Sequence, residues 1–306
     1  MSKITIGFTD GAHFQLNFIK TIFFNMFPDS KCTFVRDPKN EPDYIIFSTT
    51  GDNHMKYKSA FKILIKTKIG ILNTYKTDLI IDTVNDTKHL PDKTKMIYIP
   101  YYVLSFQERF KNGPNGLIKS KIYNANQILK SKTKFCAFLY HNCEVKYRNK
   151  FYYILNKYKK VDALGTCLGK PSEEEYDRFF FKDKEESYHD RAVKKYRPYK
   201  FVICFESAKK DGYISEKIVN AMLANCIPIY YGADDIIKHF NEKCFINANK
   251  YSEFEECVKL IETIDKDDNL YLKMLGESWI QNNKLTPWFS INYFIKTLKP
   301  LLHNKP

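Results

Sequence analysis

The 306-residue sequence predicts an α/β fold of two Rossmann-like domains in tandem, with a cleft between them. Three observations predict it. Short apolar runs alternate with stretches of helical periodicity, the pattern of parallel sheets with helices on their faces. That pattern stops in a basic stretch holding Gly113, Pro114 and Gly116 (residues 111–134) and then restarts. A composition that is 44% apolar and 16% aromatic supplies the buried surface that two ordinary cores need. The boundary is placed near the end of the basic stretch. An N-terminal domain is expected over 1–130 and a second domain over 131–285. A C-terminal tail, 286–306, is left with the N-terminal domain as a surface to pack back on.

The elements follow in order. KITIGF (3–8), CTFV (32–35), YIIFS (44–48), KIGIL (68–72), DLIID (78–82) and MIYIP (96–100) read as strands. FQLNFIKTIFFNMF (14–27) reads as a helix, with Phe14, Phe18, Ile22 and Met26 at helical spacing. In the second domain KFCAFLY (134–140) is a strand. EVKYRNKFYYILNKY (144–158) is a helix with Tyr147, Phe151, Ile154 and Tyr158 on one face. KKVDALG (159–165) is a strand and turn, and the charge-dense residues 171–195 read as an exposed loop or helix. FVICF (201–205), a helix from Ser215 and CIPIYYG (226–232) form a βαβ unit. CFINANKY (244–251), a helix from Ser252 and a helix near Leu270 close the domain. Ligands of such sheets sit outside the carboxyl ends of the strands.

The formal net charge of +14 fits nucleic acid, an anionic membrane surface or a phosphorylated substrate. The lysines are scattered through the chain, so a generally Lys-rich surface explains the charge equally well. No helix-turn-helix, zinc-finger or RNA-recognition signature accompanies it, and nucleic acid ranks last among the partners. Of the eight cysteines none forms a CxxC pair or joins a His/Cys cluster of metal spacing. They read as free thiols in a reducing compartment, with a structural disulfide as the alternative. No apolar run reaches the length of a membrane span, and KITIGF lacks the apolar core of a signal peptide. A soluble, cytoplasmic protein is the expectation.

The stretch FVICFESAKKDGYISEKIVNAMLANCIPIYYG (201–232) carries most of the chemistry. An apolar strand ends on Glu206. Ser215 is placed to cap a helix whose first turn holds Glu216 and Lys217. A lysine at the positive end of a helix is electrostatically misplaced unless an anion sits nearby. A phosphate would satisfy both the lysine and the unpaired N–H groups, and a carboxylate in the same turn suits ribose hydroxyls. A solvated first turn with a capping glutamate is the competing explanation.

The same stretch resembles the donor-binding motif of the α-1,3-fucosyltransferases, close to FENS…GYxTEKxxxAxxxxxIPIYxG. Phe205, Glu206, Ser207, Gly212, Tyr213, Ser215, Glu216, Lys217, Ala221, Ile227, Pro228 and Gly232 follow it. Upstream, Asn142, Arg148, Asn149, Phe151, Leu155, Tyr158, Val161, Asp162 and Gly165 fill the places of a second segment of that family. The resemblance covers roughly residues 134–280. It implies the GT-B arrangement and a C-terminal domain that binds GDP-fucose. It further implies that Arg148 and Lys217 pair with the diphosphate, that Glu216 bonds the ribose and that Tyr213 packs near the nucleotide. Glu206 would face the fucose and the charge developing at its anomeric carbon. The implied reaction is inverting transfer of fucose to a glycan hydroxyl, as in protein glycosylation, with no cofactor and no metal.

Two departures qualify the resemblance. Ser207 stands where the family has Asn, which bears on the donor sugar. The family's TGEN segment, on the acceptor side, has no counterpart after KYKSAFKILI. The general base therefore does not transfer. Asp82, at the end of DLIID, and Asp86 just beyond it are the candidates that the residues themselves offer. A catalytically silent nucleotide-sugar or glycan-binding module, or a transferase of another nucleotide sugar, is the alternative.

Overall fold

The structure, a computed structural model, describes residues 2–12, 16–67, 77–85, 90, 94–106, 109, 113–120, 123–170 and 186–302. Its contacts divide the chain into two units, Met1–Gln107 with Thr286–Pro306, and Glu108–Leu285.

The first unit is built on six parallel strands, β1 (Lys3–Phe8), β2 (Lys31–Arg36), β3 (Tyr44–Phe47), β4 (Phe61–Lys66), β5 (Leu79–Asp82) and β6 (Lys95–Tyr98). Their order is β2-β1-β3-β4-β5-β6, so it reverses between β1 and β3. Ile19, Ile22 and Phe23 of helix α1 (Leu16–Met26) and Leu298 and Leu302 of the C-terminal helix (Ile291–Leu302) line one small apolar cavity with Ile46, Ile63, Ile65 and Ile81. Both helices thus cover the same face of the sheet. Phe47, Leu64 and Ile80 cluster elsewhere, with Leu90 and Met96 against them. A short helix, α2 (Tyr101–Ser105), follows β6.

The strand FKILIK was not read from the sequence, and KIGIL lies outside the described residues. FKILIK is buried along its whole length, so it shows no alternation. Two lysines also interrupt its apolar run. Lys62 Nζ donates to the Ala60 carbonyl at 3.2 Å, and Lys66 Nζ reaches Asp82 at 3.0 Å. Each lysine is thereby satisfied inside the sheet.

The second unit carries β7 (Lys134–Phe138), β8 (Val161–Ala163), β9 (Tyr199–Phe205), β10 (Ile227–Tyr231) and β11 (Ile246–Asn247), all parallel, in the order β11-β10-β9-β7-β8. The order reverses between β7 and β9. The helices are α3 (Ala125–Lys130), α4 (Lys146–Tyr158), α5 (Tyr188–Tyr196), α6 (Glu216–Leu223), α7 (Phe254–Lys266) and α8 (Asp268–Gly276). Asp265, near the end of α7, ties three elements together. It receives Lys159 Nζ at 2.8 Å, Tyr158 Oη at 3.0 Å and Lys200 Nζ at 2.9 Å. Burial pushes its carboxyl up, but these donors outweigh burial and hold it below the ordinary range.

Four expectations are corrected. The division falls after residue 107, not near 130, because the intervening segment docks on the second unit. Leu117 is fully buried, and Lys119 N–H and C=O exchange hydrogen bonds of 2.8 Å with the Asn283 side chain. The buried line of α4 is Arg148, Phe151 and Leu155, with an arginine where a purely apolar face was expected. Of the charge-dense segment, residues 171–185 lie outside the described residues, and in α5 His189, Asp190, Ala192, Val193 and Tyr196 are buried, not exposed. Finally, Cys143 and Cys167 form a disulfide with Cα atoms 5.1 Å apart, so these two are not free thiols. The bridge removes the ground on which a reducing compartment was expected.

Two stability predictions follow from these contacts. The bridge closes a loop over 24 positions, so Cys143→Ser with Cys167→Ser should cost about 3 kcal/mol in urea unfolding. Equal midpoints with and without the bridge would refute this. Lys119 sits over Trp279, 3.5 Å from the ring centroid, and burial pushes its ammonium from 10.5 down to about 8. The unfolded chain then binds the extra proton between those values, so this lysine makes stability rise with pH across the window. Lys119→Met should flatten that rise in melts between pH 8 and 10.5.

Candidate active site

The reversal of strand order between β7 and β9 leaves a crevice at their carboxyl ends. A pocket of about 300 Å³ occupies it, lined by the segment after β7 (Tyr140, His141, Asn142), by Arg148, by Ser207 and by Glu216 and Lys217. Tyr188, Ala192 and Tyr196 of α5 and Asn220 of α6 complete the wall.

Under the pocket lies Glu206, the first residue after β9. It is fully buried. One carboxylate oxygen accepts from Ser215 N–H at 2.8 Å. The other accepts from Ser215 Oγ at 2.7 Å and from Lys217 Nζ at 3.3 Å. Ser215 thus stands at the N-cap position, but its hydroxyl donates to Glu206 instead of capping its own helix. A Cβ at position 232 would come within 2.6 Å of Glu206 Cγ, so the turn after β10 needs glycine there. Tyr147 Oη of α4 donates to the Glu206 carbonyl at 2.7 Å. The carboxylate holds the start of α6 against the end of β9. It is not among the residues that line the pocket, whereas the resemblance implied that it faces the fucose.

Lys217 is fixed by the same knot. Its ammonium lies 2.8 Å from Ser215 Oγ and 3.9 Å from Glu216 Oε1, with a side chain 22% exposed. Burial alone would push its pKa down. Glu216 and Glu206 outweigh burial and hold it well above the ordinary value. Glu216 shifts the opposite way. Burial would raise its carboxyl, but Lys217, followed by His189, keeps it below the ordinary range. Both groups are therefore charged at neutral pH.

Arg148 supplies the second cation. It is 3% exposed, and its guanidinium stacks on the Tyr140 ring at 3.9 Å from the centroid. Nη2 donates to the Phe205 carbonyl at 3.1 Å, while the buried Nε has no hydrogen-bond partner. Tyr140 Oη is itself locked, donating to the Ile203 carbonyl at 2.8 Å and accepting from Phe205 N–H at 2.7 Å. A buried cation with a spare donor beside a second fixed cation suits a doubly charged anion.

Arg148, Ser207, Glu216 and Lys217 thus converge on one pocket. Tyr213 stands behind Ser207, with 3.2 Å between their hydroxyls, and does not line the wall. Gly212, at φ 75°, turns the loop, and its N–H donates to Asp235 at 2.9 Å. Asp82 lies in the other unit and is buried. One of its oxygens pairs with Lys66 at 3.0 Å and the other accepts Val84 N–H at 2.9 Å. Burial raises its carboxyl even so. Both oxygens are occupied within the sheet, which gives Asp82 a structural part in place of the base considered for it. Asp86 lies outside the described residues. Tyr188, Ala192 and Tyr196 were missed, although their spacing of four marks one helical face within a charged segment. Among the described residues no group of three or more His, Cys, Asp or Glu side chains is placed to hold a metal ion.

Comparison with known proteins adds to this geometry. The model of glycosyltransferase family 10 (fucosyltransferase), C-terminal region, matches residues 129–297. A putative fucosyltransferase of Acanthamoeba polyphaga mimivirus is 33% identical over 218 residues, 71% of this chain and 33% of that protein. An alpha-(1,3)-fucosyltransferase of Helicobacter pylori is 30% identical over 177 residues, 56% of this chain and 34% of that protein. The chain spans about a third of the length of these relatives. A crystal structure of alpha1,3-fucosyltransferase with GDP-fucose matches at a TM-score of 0.69 and 19% identity, covering 100% of this chain and 92% of that one. That likeness carries the α/β fold with two parallel sheets.

Glu206→Gln should strip the Lys217 charge of its nearer carboxylate, with Glu216 remaining at 3.9 Å. Removing one member of such a pair costs roughly 3 kcal/mol, to be read from urea unfolding. A loss below about 1 kcal/mol, the worth of an exposed pair, would show that the knot is not the anchor of α6.

Proposed function

The chain belongs to glycosyltransferase family 10, the fucosyltransferase family, and from that premise we propose that it transfers fucose from GDP-fucose to a hydroxyl of a glycan acceptor, with inversion at the anomeric carbon. The observation that carries this reading is the pair Arg148 and Lys217 on one pocket wall, with Arg148 Nε unpartnered. The departing group of the reaction is a diphosphate. Its negative charge grows as the anomeric bond breaks, and two fixed cations in a partly desolvated pocket favour it. Glu216, held ionised, accepts from ribose hydroxyls. Tyr188 and Tyr196 offer aromatic surface for the nucleotide.

Arg148 and Lys217 are proposed to carry the charge stabilisation themselves, so transfer proceeds without a divalent ion. The donor sugar is the finer part of the proposal. The structural neighbour holds GDP-fucose. Ser207 presents a single hydroxyl to this pocket, and a different sugar on the same diphosphate is the second reading that it favours.

The test is a thermal-shift screen of GDP-fucose, GDP-mannose and UDP-sugars, followed by turnover with EDTA present. GDP-fucose should give the largest shift, and EDTA should leave the rate unchanged. Lys217→Ala should weaken GDP-fucose binding or turnover by roughly 2–4 kcal/mol. A preference for UDP-sugars would replace the donor, and activity lost in EDTA and restored by Mn²⁺ would end the two-cation account.

A further inference from the structure

The Cys143–Cys167 bridge lies against the pocket wall of the second unit. Tyr140, His141 and Asn142 run from β7 along that wall, and Cys143 is the next residue. Cys167 lies beyond β8, in a segment pressed on the same residues. Its N–H donates to the Tyr140 carbonyl at 2.9 Å. Thr166 N–H donates to His141 Nδ1 at 3.3 Å, and Thr166 Oγ1 donates to the His141 carbonyl at 3.2 Å. A Cβ at Gly165 would collide with the Tyr140 carbonyl. The bridge therefore joins the pocket wall to the turn that backs it.

What the bridge steadies is the entry to α4. Arg148 sits in the first turn of that helix, and Val145 at the N-cap position gives it no side-chain hydrogen bond. The first N–H groups of a helix need partners from outside it, and a side-chain cap is the usual source. The Asn142 side chain bonds only Glu144, within the same short segment. Cys143 makes the longer connections. Its carbonyl accepts from Asn149 Nδ2 at 2.8 Å, and its sulfur is bonded to Cys167, 24 positions on. The two sulfurs differ in access. Cys143 is exposed, while Cys167 is fully buried. The other six cysteines are thiols, five of them buried and Cys32 half-buried. Exposed bridges are the ones that thiols open.

We propose that this bridge is a reversible redox switch on the donor pocket, intact for tight binding of the nucleoside diphosphate and opened by a dithiol; this rests on the donor reading proposed above. A thiolate of the dithiol attacks the exposed Cys143 Sγ. The S–S bond breaks, and its electron pair leaves on Cys167 Sγ, which takes up a proton. The second thiol then displaces Cys143 from the mixed disulfide. Cys143 also ends as a thiol, and the dithiol departs as a cyclic disulfide, oxidised by the two electrons that the bridge gains. Without the link, residues 141–145 and the first turn of α4 are no longer tied to the turn after β8, and Asn142 and Arg148 lose fixed places in the wall. A site whose donors must be ordered on binding holds its ligand less tightly. The effect is reciprocal, so bound GDP protects the bridge from reduction by the same factor.

The experiment uses the full chain, equilibrated with reduced and oxidised dithiothreitol at set ratios, with GDP as the probe. Thiol titration after denaturation should count six thiols in the oxidised chain and eight in the reduced one. Reduction should weaken GDP binding about 10-fold, within the usual span of coupled equilibria. Far-UV circular dichroism should stay unchanged, and reoxidation should restore the affinity. Saturating GDP should raise, by the same factor, the ratio of reduced to oxidised dithiothreitol that half-opens the bridge, a shift that a staple remote from the site would not show. Cys143→Ser with Cys167→Ser should bind GDP like the reduced chain in every buffer. Equal GDP affinity in the two states overturns the proposal, and so does a response to reductant that persists in the double variant. Eight thiols in the oxidised chain overturn it as well. Reduction that unfolds the second unit makes the bridge a structural staple and overturns it too. A chain that binds GDP in neither state sinks the donor reading itself, and the switch with it.

Discussion

The arrangement of the second unit depends on one buried carboxylate. Glu206 directly follows the central strand of its sheet and spends both oxygens on the start of the next helix. A charge buried so completely is stable only with partners. Ser215 supplies a backbone N–H and a hydroxyl, and Lys217 supplies the opposite charge. In return the carboxylate fixes where α6 starts, and so where Lys217 and Glu216 point. The knot sits at the reversal of strand order, where no neighbouring crossover fills the space. The crevice and the cations that line it therefore have a common origin.

Arg148 reaches the same place by another route. It projects from the buried face of α4, where an aliphatic residue would ordinarily serve. Tyr140 pays for part of that intrusion by presenting its ring face, and the Phe205 carbonyl takes one N–H group. What remains is a donor with nothing protein-bound to satisfy it. An unfilled polar group of this kind marks a place where folding was not the only demand on the side chain.

Much of this was legible in the residues. Glu206, Ser215 and Lys217 could be placed together because an apolar strand, a polar loop and a helix start are each visible in the sequence. The partner of Glu206 could not, since a strand-end carboxylate reads the same whether it faces water, a sugar or a hydroxyl nine residues on. FKILIK escaped for a physical reason. A central parallel strand is buried on both faces, and its two lysines find partners within the sheet, so neither alternation nor polarity betrays it. Lys119 belongs to the second unit through contacts with residues more than 150 positions away, which no local pattern encodes. Cys143 and Cys167 meet because β7 and β8 are neighbours, a fact of topology.

The net charge of +14 also acquires a different meaning. Read along the chain it suggested a surface. In the fold, several lysines are internal, and each is set by its surroundings. Lys66 pairs with Asp82, and Lys200 with Asp265. Lys119, set against Trp279, has its ammonium pushed down to about 8 by burial. Lys217 lies between two carboxylates and is pushed the other way. The same side chain, deprived of water, holds its proton less or more firmly according to whether an aromatic ring or a carboxylate replaces the solvent. Both are cations at neutral pH, but only the second environment holds the charge well above the ordinary range, and it is the one that lines the pocket. The charge that matters to an anionic ligand is therefore local. It is set by Glu206 and Glu216 and owes nothing to the excess of lysine elsewhere.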